Sequence, residues 1–372
     1  YRGNIVMLDD LYSFIKNEKN LAEEFIKQHS DKRKVFLYGA GMASIWYIEF
    51  LKRNNICIEG IIVSDAINQS MKKNEIPIIC IDDISLDASC EIVIATPKYK
   101  EEIINKLSML IGIDNIFSFE TEIYCTFVHD VDILKKYYLS NFDRICNMYD
   151  DLEDDYSKIT LLNFIKGRVS GNQDYYKEIR AEEPYYSPDI ITLSQEEVLV
   201  ELGSNNGETL LDFLNKVDRK YKKCICFEPD PNCIQKLKNI IERESGNIEL
   251  IELGAYDTRR ILKFEVDEKD ENHATAHISE NGISIEVDAV DNWVNDKITF
   301  LKMDIEGSEI KALQGCKKTI QKYAPKLAVS VYHNNEDLLD IYEFIRTFPI
   351  QYKIYLRHYN HSATDTILYA TL

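Results

Sequence analysis

The sequence lacks three features that would place the protein in familiar classes. It has no run of eighteen or more apolar residues, and no short apolar segment follows basic residues near its first residue. It also lacks a basic excess, because 44 Lys and Arg stand against 63 Asp and Glu, for a formal net charge of −19. A nucleic-acid partner and a membrane span are therefore not expected, since phosphate binding needs a cationic face. We expect a cytoplasmic protein with a neutral or weakly polar substrate.

Cysteine pairs of the kind that bind metals or form disulfides are also scarce. Nine cysteines are spread over 372 residues, and only Cys224 and Cys226 lie close together, inside a predicted strand. Alternate strand residues share a face, but neighbouring thiols in a core strand are more often packing groups than reactive ones. We interpret all nine, Cys125 included, as reduced and structural.

The alternation of apolar runs and helical patterns divides the chain into three parts. Because the length exceeds what one hydrophobic core usually supports, two domains are expected. We predict an α/β fold with two Rossmann-like domains, at residues 1–129 and 197–372, joined by a helical bridge at residues 130–196. Residues 261–288 alternate in the β manner, which predicts a hairpin inserted into the second domain.

A glycine turn follows the first predicted strand of the leading domain. Gly39 and Gly41 come directly after an apolar run, and Asp65 follows the next strand. This pattern is compatible with a nucleotide site. However, tight strand-to-helix turns need glycine even when nothing binds there, so the turn alone is weak evidence.

A second glycine turn, within residues 198–209, is the most informative segment of the chain. An apolar run ends in Glu201, Gly203 and Gly207, and a helix-compatible segment follows at once. A strand, a glycine turn and a helix expose backbone N–H groups and a helix N-terminus to a ligand. The glycine spacing is not the Gly-x-Gly-x-x-Gly of a dinucleotide fold, which suits a ligand without a pyrophosphate.

The next strand ends in two acidic residues, Glu228 and Asp230. A carboxylate at this position accepts the hydroxyls of a ribose in such folds, which favours Glu228 as a ribose clamp. The alternative is that both residues cap the helix that begins at Pro231. Further along, Asp304 and His333 follow two more predicted strands, and the ends of parallel strands rim one crevice.

Five ordered motifs resemble those of the FkbM-type methyltransferases, and the resemblance covers about residues 160–372. They are Glu201–Gly207, Phe227–Asp230, Gly254–Asp257, Leu301–Glu309 and Val331–His333. The resemblance implies a seven-stranded class I methyltransferase sheet, S-adenosylmethionine as cofactor, and O-methylation of a hydroxyl, often on a saccharide or a polyketide-type product. Polysaccharide biosynthesis is the setting that we expect. It implies that the cofactor site contains Glu201, Gly203, Asn205, Gly207, Glu228, Asp230, Ala255, Asp257 and Asp304. Glu201 departs from the family, which usually has aspartate there. The leading domain more weakly resembles the Rossmann-type domain of nucleotide-sugar acyltransferases.

A neutral hydroxyl needs a proton acceptor when it attacks the methyl group. His333 is the first candidate because histidine titrates near neutrality, and Asp304 either orients it or accepts the proton itself. Lys302 shares strand parity with Asp304, so the two could pair. We assign no metal, although Asp304, His333 and Asn334 together form an alternative set of ligands for a divalent cation.

Several other side chains could line the acceptor pocket or serve only the fold. Tyr185 could lie over the pocket, whereas Tyr186 more simply packs against the sheet. Glu309 is better explained by first-turn placement on a helix, and Glu306 fits either role. Positions with both alternatives open are Asp288, Asp291 and His358.

Two rival functions remain compatible with the sequence. A nucleotide-sugar oxidoreductase or epimerase could use the Gly39 turn, although no Tyr-x-x-x-Lys pair follows that turn in the leading domain. A non-catalytic binder of a glycan or nucleotide is the other. The sequence does not name the acceptor, and it is compatible with a homo-oligomer.

Overall fold

A computed structural model describes residues 2–30, 32–41, 43–64, 72–120, 131–244, 246–265, 277–279 and 282–372. Asp65 and Cys125 lie outside the described residues. The chain forms two compact units. The leading unit contains Tyr1–Phe142, Leu162–Arg180 and Asn360–Thr364, and the trailing unit contains Asp143–Leu161, Ala181–Tyr359 and Asp365–Leu372. Residues of the predicted bridge are thus divided between the two units.

The leading unit is built around a mostly parallel sheet. Its strands are β1 (Lys34–Tyr38), β2 (Ile58–Val63), β3 (Lys72–Lys73), β4 (Ile76–Cys80), β5 (Cys90–Ile94) and β6 (Ile116–Phe117). The helices before residue 142 are α1 (Arg2–Asn17), α2 (Leu21–Gln28), α3 (Ser44–Arg53), α4 (Lys100–Ile111) and α5 (Val131–Ser140). The strand order is β3-β4-β2-β1-β5-β6, and only the β3–β4 pair is antiparallel.

Burial on both faces explains why the central strands are continuous apolar runs. In β1 every residue after Lys34 is buried, and all five residues of β5 are buried. Parallel strands covered by helices on both sides have this composition. Between β6 and the next strand in sequence, the described residues form α5 and three further helices: α6 (Phe142–Asp151), α7 (Asp155–Ser170) and α8 (Asp174–Glu178).

The trailing unit has two sheets. Its strands are β7 (Val198–Leu202), β8 (Lys223–Phe227), β9 (Ile248–Ile251), β10 (Gly254–Ala255), β11 (Arg260–Glu265), β12 (His277–Ile278), β13 (Ile283–Asp288), β14 (Phe300–Met303), β15 (Lys326–Ser330), β16 (Lys353–His358) and β17 (Thr366–Thr371). Its helices after β7 are α9 (Glu208–Lys216), α10 (Pro231–Glu244), α11 (Glu309–Gly315), α12 (Lys317–Tyr323) and α13 (Asp337–Arg346).

The main sheet of the trailing unit has seven strands in the order β16-β17-β15-β14-β7-β8-β9. Strand β17 runs antiparallel to both its neighbours, and the other pairs are parallel. Strands β11 and β13 pair antiparallel within a second, four-stranded sheet. The predicted fold class, including the seven-stranded sheet and the inserted hairpin, is confirmed.

Register places the predicted site residues along one edge of this sheet. Leu202 pairs with Phe227 on one side and with Met303 on the other, and Met303 pairs with Val329. The segments that follow β7, β8, β14 and β15 therefore leave the sheet side by side. The order of the strands reverses at β7, since β8 lies on one side and β14 on the other, and such a reversal is where ligands bind in open α/β sheets.

Two further expectations concern the chemical character of the chain. Among the described residues no helix is both long and apolar enough to cross a membrane. The eight described cysteines are all free thiols, and only Cys57 is exposed. Burial raises the pKa values of the thiols of Cys224 and Cys226, which keeps both protonated and unreactive.

Candidate active site

A cavity of about 310 Å³ lies at the reversal point of the trailing sheet. One wall is the glycine turn after β7, and a second is formed by residues that follow β8 and β14. A third, apolar wall comes from the four-stranded sheet and consists of Phe264, Ile278, Ile285 and Val287. The alternating pattern of β11 and β13 carried a signal for this wall, because Ile285 and Val287 are buried while Ser284 and Glu286 are exposed.

The glycines of this turn are required by the backbone and by close packing. Gly203 has φ +76°, and a Cβ there would lie 1.9 Å from the carbonyl oxygen of Asp304. Gly207 has φ +86°, and a Cβ there would lie 2.7 Å from Ile240. These positive φ values favour glycine. The turn thus packs directly against the end of β14, which holds the two walls of the cavity together.

Glu228 is buried at the cavity wall and accepts two backbone hydrogen bonds. The amide of Asn205 donates to Oε2 at 2.7 Å, and the amide of Asp230 donates to Oε1 at 2.9 Å. Burial raises the pKa of Glu228 to about 7, and these two amides oppose that rise. Asp230 also lines the cavity, but its Oδ1 accepts the amide of Asn232 at 2.8 Å and so caps α10.

Glu201 and Lys302 lie deeper than the sequence suggested. Glu201 is completely buried and does not line the cavity. Among the described residues its Oε1 has no hydrogen-bond partner, and the Lys302 ammonium is 3.8 Å away. Lys302 lines the cavity, donates to the carbonyl oxygen of Gly203 at 2.8 Å, and lies 4.9 Å from the ring centre of Tyr185. The Lys302 ammonium is therefore hydrogen-bonded to Gly203 and lies near Glu201. The sequence had suggested that it could pair with Asp304.

Asp304 and Glu306 line the cavity, and His333 lies behind them. His333 Nε2 is 3.5 Å from Asp304 Oδ1 and 3.4 Å from Glu306 Oε2. On the other side of the ring, Nδ1 is 2.9 Å from Oε1 of the buried Glu309. The His333 side chain is buried and is not part of the cavity wall. Sequence reasoning did not identify Glu309 as a neighbour of this imidazole, because the contact depends on how α11 packs.

The charges of this cluster determine its protonation. Burial disfavours a charged imidazole, but the carboxylates of Glu309, Glu306 and Asp304 outweigh that effect and raise the pKa of His333 well above its usual value. Asp304 has a lowered pKa, because the charges of His333 and Lys302 and the hydroxyl of Tyr185 outweigh the burial that would raise it. Burial raises the pKa of Glu306 to about 8. The raised pKa of His333 favours its protonated form, whereas a general base must start without the proton, so a carboxylate of this cluster is the better candidate for the base.

The two proline-bracketed tyrosines lie in different surroundings. The hydroxyl of Tyr185 donates to Asp304 Oδ2 at 2.5 Å, and its side chain lines the cavity. Tyr186 packs in the core against Phe213 and Phe300. The sequence favoured packing for Tyr186 and left the position of Tyr185 open.

Other predicted residues serve the fold. Asp257 does not line the cavity and pairs with Arg260 at 2.8 Å and Lys311 at 3.3 Å, whereas Ala255 does line it. Asp291 accepts the amides of Lys318 and Thr319 and so caps α12.

Asp288 and His358 also lie outside the cavity lining. Asp288 accepts hydrogen bonds from Asn292 at 2.8 Å and from the indole of Trp293 at 3.0 Å. His358 is completely buried, with Nδ1 2.8 Å from the hydroxyl of Thr366.

Three residues of the cluster could supply ligand atoms to a metal ion. The donor atoms of Asp304, Glu309 and His333 all lie within 4.8 Å of one another. Asn334, the third member of the alternative set drawn from the sequence, instead donates its amide to the carbonyl oxygen of Gly307 at 3.0 Å and to Asp337. The positive charge of His333 already balances part of the negative charge of the carboxylates around it.

Comparison with known proteins agrees with this geometry. Residues 201–353 match the family model described as the methyltransferase FkbM domain. The crystal structure of methyltransferase FkbM from Methylobacillus flagellatus KT is similar over 99% of this chain and 100% of that chain, with 21% identity and a TM-score of 0.74. Fibrillarin from Aeropyrum pernix, with natively bound S-adenosyl-L-methionine, has 12% identity over 49% of this chain and 70% of that chain, with a TM-score of 0.33. No curated protein matches the chain.

Proposed function

We propose that this protein, whose residues 201–353 match the methyltransferase FkbM domain, transfers a methyl group from S-adenosylmethionine to a hydroxyl of a saccharide-type acceptor. The observation that carries the proposal is the acid-lined cavity at the reversal point of the trailing sheet. The acidic residues of its wall are Glu208, Glu228, Asp230, Asp304 and Glu306, and Lys302 is the one cationic side chain among the described lining residues. Such a wall suits a ligand with a positively charged sulfur and an ammonium group.

Glu228 would hold the ribose of the cofactor. Its carboxylate is fixed by the amides of Asn205 and Asp230, so its remaining lone pairs can accept ribose hydroxyls without further ordering. The glycine turn at Gly203 would lie against the amino-acid end of the cofactor. S-adenosylmethionine supplies the electrophilic methyl group when it is bound there.

The chemical step balances as a single displacement. The acceptor oxygen forms a bond to the methyl carbon while the carbon–sulfur bond breaks, its electron pair returns to sulfur, and the hydroxyl proton passes to a carboxylate. Glu306 in its ionised form is the acceptor of that proton in this proposal, because it lines the cavity and its pKa of about 8 makes its carboxylate a stronger base than that of Asp304. The ionised fraction, and with it the rate, would then rise with pH through about 8. Most of the acceleration would come from aligning the two reactants in the cavity.

Asp304 and His333 would act as positioning residues. Tyr185 holds Asp304 in place, and Asp304 and Glu309 lie on opposite sides of the charged His333 ring. His333 in turn keeps its positive charge 3.4 Å from the Glu306 carboxylate. This role replaces that of general base, which an imidazolium cannot perform.

The saccharide class of the acceptor is supported by the resemblance to the FkbM family and by the net charge of −19, which disfavours a nucleic-acid acceptor. We also propose a cytoplasmic location and a role in polysaccharide biosynthesis, because free thiols are typical of a reducing compartment. Mass spectrometry of surface polysaccharide from cells with and without the gene tests this part. Loss of one O-methyl group is the expected result.

Calorimetric titration of the full chain with S-adenosylmethionine and with NAD tests the cofactor. We expect one molecule of S-adenosylmethionine to bind, and we expect Glu228→Gln to weaken that binding at least about tenfold by removing a charged hydrogen-bond acceptor. Glu208→Gln is the matched control, because Glu208 also lines the cavity but is exposed. NAD binding in place of S-adenosylmethionine would favour the oxidoreductase. Cofactor binding with no methylated product on any glycan would favour the binder.

A further inference from the structure

The leading unit contains a second large cavity that methyl transfer does not use. It has a volume of about 900 Å³ and lies where β1, β2 and β5 end. The order of this sheet reverses at β1, because β2 lies on one side and β5 on the other. Its position is thus the one at which open α/β sheets bind ligands.

The two glycines of this turn have different explanations. Gly39 has φ +110°, and a Cβ there would lie 3.0 Å from Thr96, so backbone conformation and packing account for it. Gly41 has no positive φ, and a Cβ there would meet no atom within 4 Å. The ammonium of Lys73 holds the carbonyl oxygens of Ala40 and Gly41 at 3.0 and 2.6 Å, which orders the turn. Among the described residues nothing packs so closely that glycine is required at 41, and Gly41 is exposed at the cavity lining.

The cavity has a positive lining in a chain with a net charge of −19. Lys98, Lys106 and His361 contribute to its wall, and Glu102 is the one acidic side chain among the described lining residues. The pKa of His361 is lowered by burial and by the charges of Arg180, Lys98 and Lys177. That shift is the response expected of an imidazole in a local positive potential.

Hydroxyl groups and aromatic rings complete the wall. Ser64, Thr96, Ser362 and Thr364 offer hydroxyl donors beside the lysines. Trp46 and Tyr99 also line the cavity, and Tyr99 is 53% exposed. An exposed ring next to cationic side chains is a surface on which a nucleic-acid base can stack while the charges bind phosphate.

We propose that this cavity binds a nucleoside diphosphate. The diphosphate lies against Lys98, Lys106 and the backbone at Gly41, where an added side chain would block it. The base stacks on Tyr99 or Trp46, and the hydroxyls of the wall bind the ribose. The site is independent of the methyl-transfer site, so its ligand binds whether or not S-adenosylmethionine is present.

Calorimetric titration of the full chain with UDP, ADP and inorganic pyrophosphate, each at saturating S-adenosylmethionine, tests the proposal. We expect UDP or ADP to bind with a stoichiometry of one, at least about tenfold more tightly than pyrophosphate, because stacking adds to the phosphate contacts. Binding of neither nucleotide would overturn the proposal. Pyrophosphate binding of equal strength would overturn it as well. Saturating S-adenosylmethionine keeps ADP out of the trailing cavity. Nucleotide binding that disappears when S-adenosylmethionine is added would therefore contradict the proposal.

Gly41→Leu is the sharpest variant, because its side chain would enter open space without backbone strain. We expect it to weaken nucleotide binding at least about tenfold and to leave the thermal unfolding midpoint and S-adenosylmethionine binding unchanged. Wild-type nucleotide affinity in this variant would contradict the proposal. Lys98→Glu should weaken binding in the same way, and Lys52→Glu is its matched control, since Lys52 is exposed on α3 and does not line the cavity. Glu228→Gln should not alter nucleotide binding, which separates this test from that of the methyl-transfer site.

Discussion

The two cavities have the same topology and opposite charge. Each lies where the strand order of a mostly parallel sheet reverses, beside a glycine turn. The trailing cavity is lined by carboxylates and the leading one by lysines and a histidine. The scaffold therefore determines where a ligand can bind, and the side chains at the strand ends determine its charge.

The glycines of the two turns also differ in how closely other atoms pack around them. A Cβ at Gly203 would clash at 1.9 Å with the carbonyl oxygen of Asp304, whereas a Cβ at Gly41 would meet nothing within 4 Å. Glycine in the trailing turn serves the protein's own packing. Packing against the described residues does not explain glycine at 41, which is consistent with the proposed ligand at that turn.

The largest effect should follow from removing the proposed proton acceptor of the acidic cavity. Glu306→Gln keeps the shape of the side chain but cannot take a proton, so kcat should fall by about 10²–10⁴-fold with little change in S-adenosylmethionine affinity. Steady-state assays of S-adenosylhomocysteine release measure kcat, and calorimetry measures the affinity. Asp304→Asn is the informative partner variant. If it lowered kcat while Glu306→Gln did not, the proton would go to Asp304.

The histidines of the two units should differ in their contribution to stability. His333→Ala leaves Asp304, Glu306 and Glu309 around an uncompensated buried site, so the free energy of unfolding should fall by about 3–5 kcal/mol. His361→Ala removes a half-buried ring from a positive environment and should cost less than about 1 kcal/mol. Urea unfolding of both variants measures the difference. Equal losses would mean that His333 is not the charged centre of its cluster.

Protonation of Glu228 should make cofactor binding depend on pH. Its pKa of about 7 means that the free protein loses this carboxylate's charge as the pH falls below 7, and S-adenosylmethionine affinity should then weaken by up to about tenfold per pH unit. The same raised pKa has the opposite effect on folding, which becomes less favourable as the pH rises. Because the folded pKa lies above the unfolded value of 4.5, ionisation of Glu228 lowers the free energy of unfolding as the pH rises from about 4.5 to 7. Calorimetry between pH 5.5 and 8.5 checks the first effect, which should flatten in Glu228→Gln.

The smallest effect should be that of salt. Nucleotide binding at the cationic leading cavity depends on partly exposed lysines, so it should weaken several-fold as ionic strength rises through the range where the Debye length falls from about 10 to 3 Å. Binding of S-adenosylmethionine should change less, because Glu228 is buried and screened little. Titrations at several salt concentrations compare the two. Equal salt dependence would show that lining charge does not distinguish the cavities.

Much of the fold could be predicted because local signals were strong. Buried strands such as β7 and β8 are unbroken apolar runs, and each ends in the residue that marks the sheet edge. The glycine turn, the position of Glu228 and the packing of Tyr186 followed from chemistry that neighbouring residues reveal.

Depth and long-range pairing could not be predicted in this way. Strand parity placed Lys302 on the correct face but did not show that its ammonium reaches the carbonyl oxygen of Gly203, 99 residues away. His333 follows β15 as expected, yet its enclosure depends on Glu309 from α11. Likewise, the lysines of the leading cavity and His361 lie far apart in the sequence, and only folding brings them to one wall.

The contact between Gly203 and the backbone of Asp304 has a consequence for changing the acceptor of this enzyme by mutation. With no room for even a methyl group, any replacement at 203 would displace the strand end that carries the acidic cluster, so cofactor affinity and turnover would be lost together. Variation is better directed to Phe264, Ile278 and Ile285, whose side chains face the cavity from a separate sheet and can be exchanged without moving that strand.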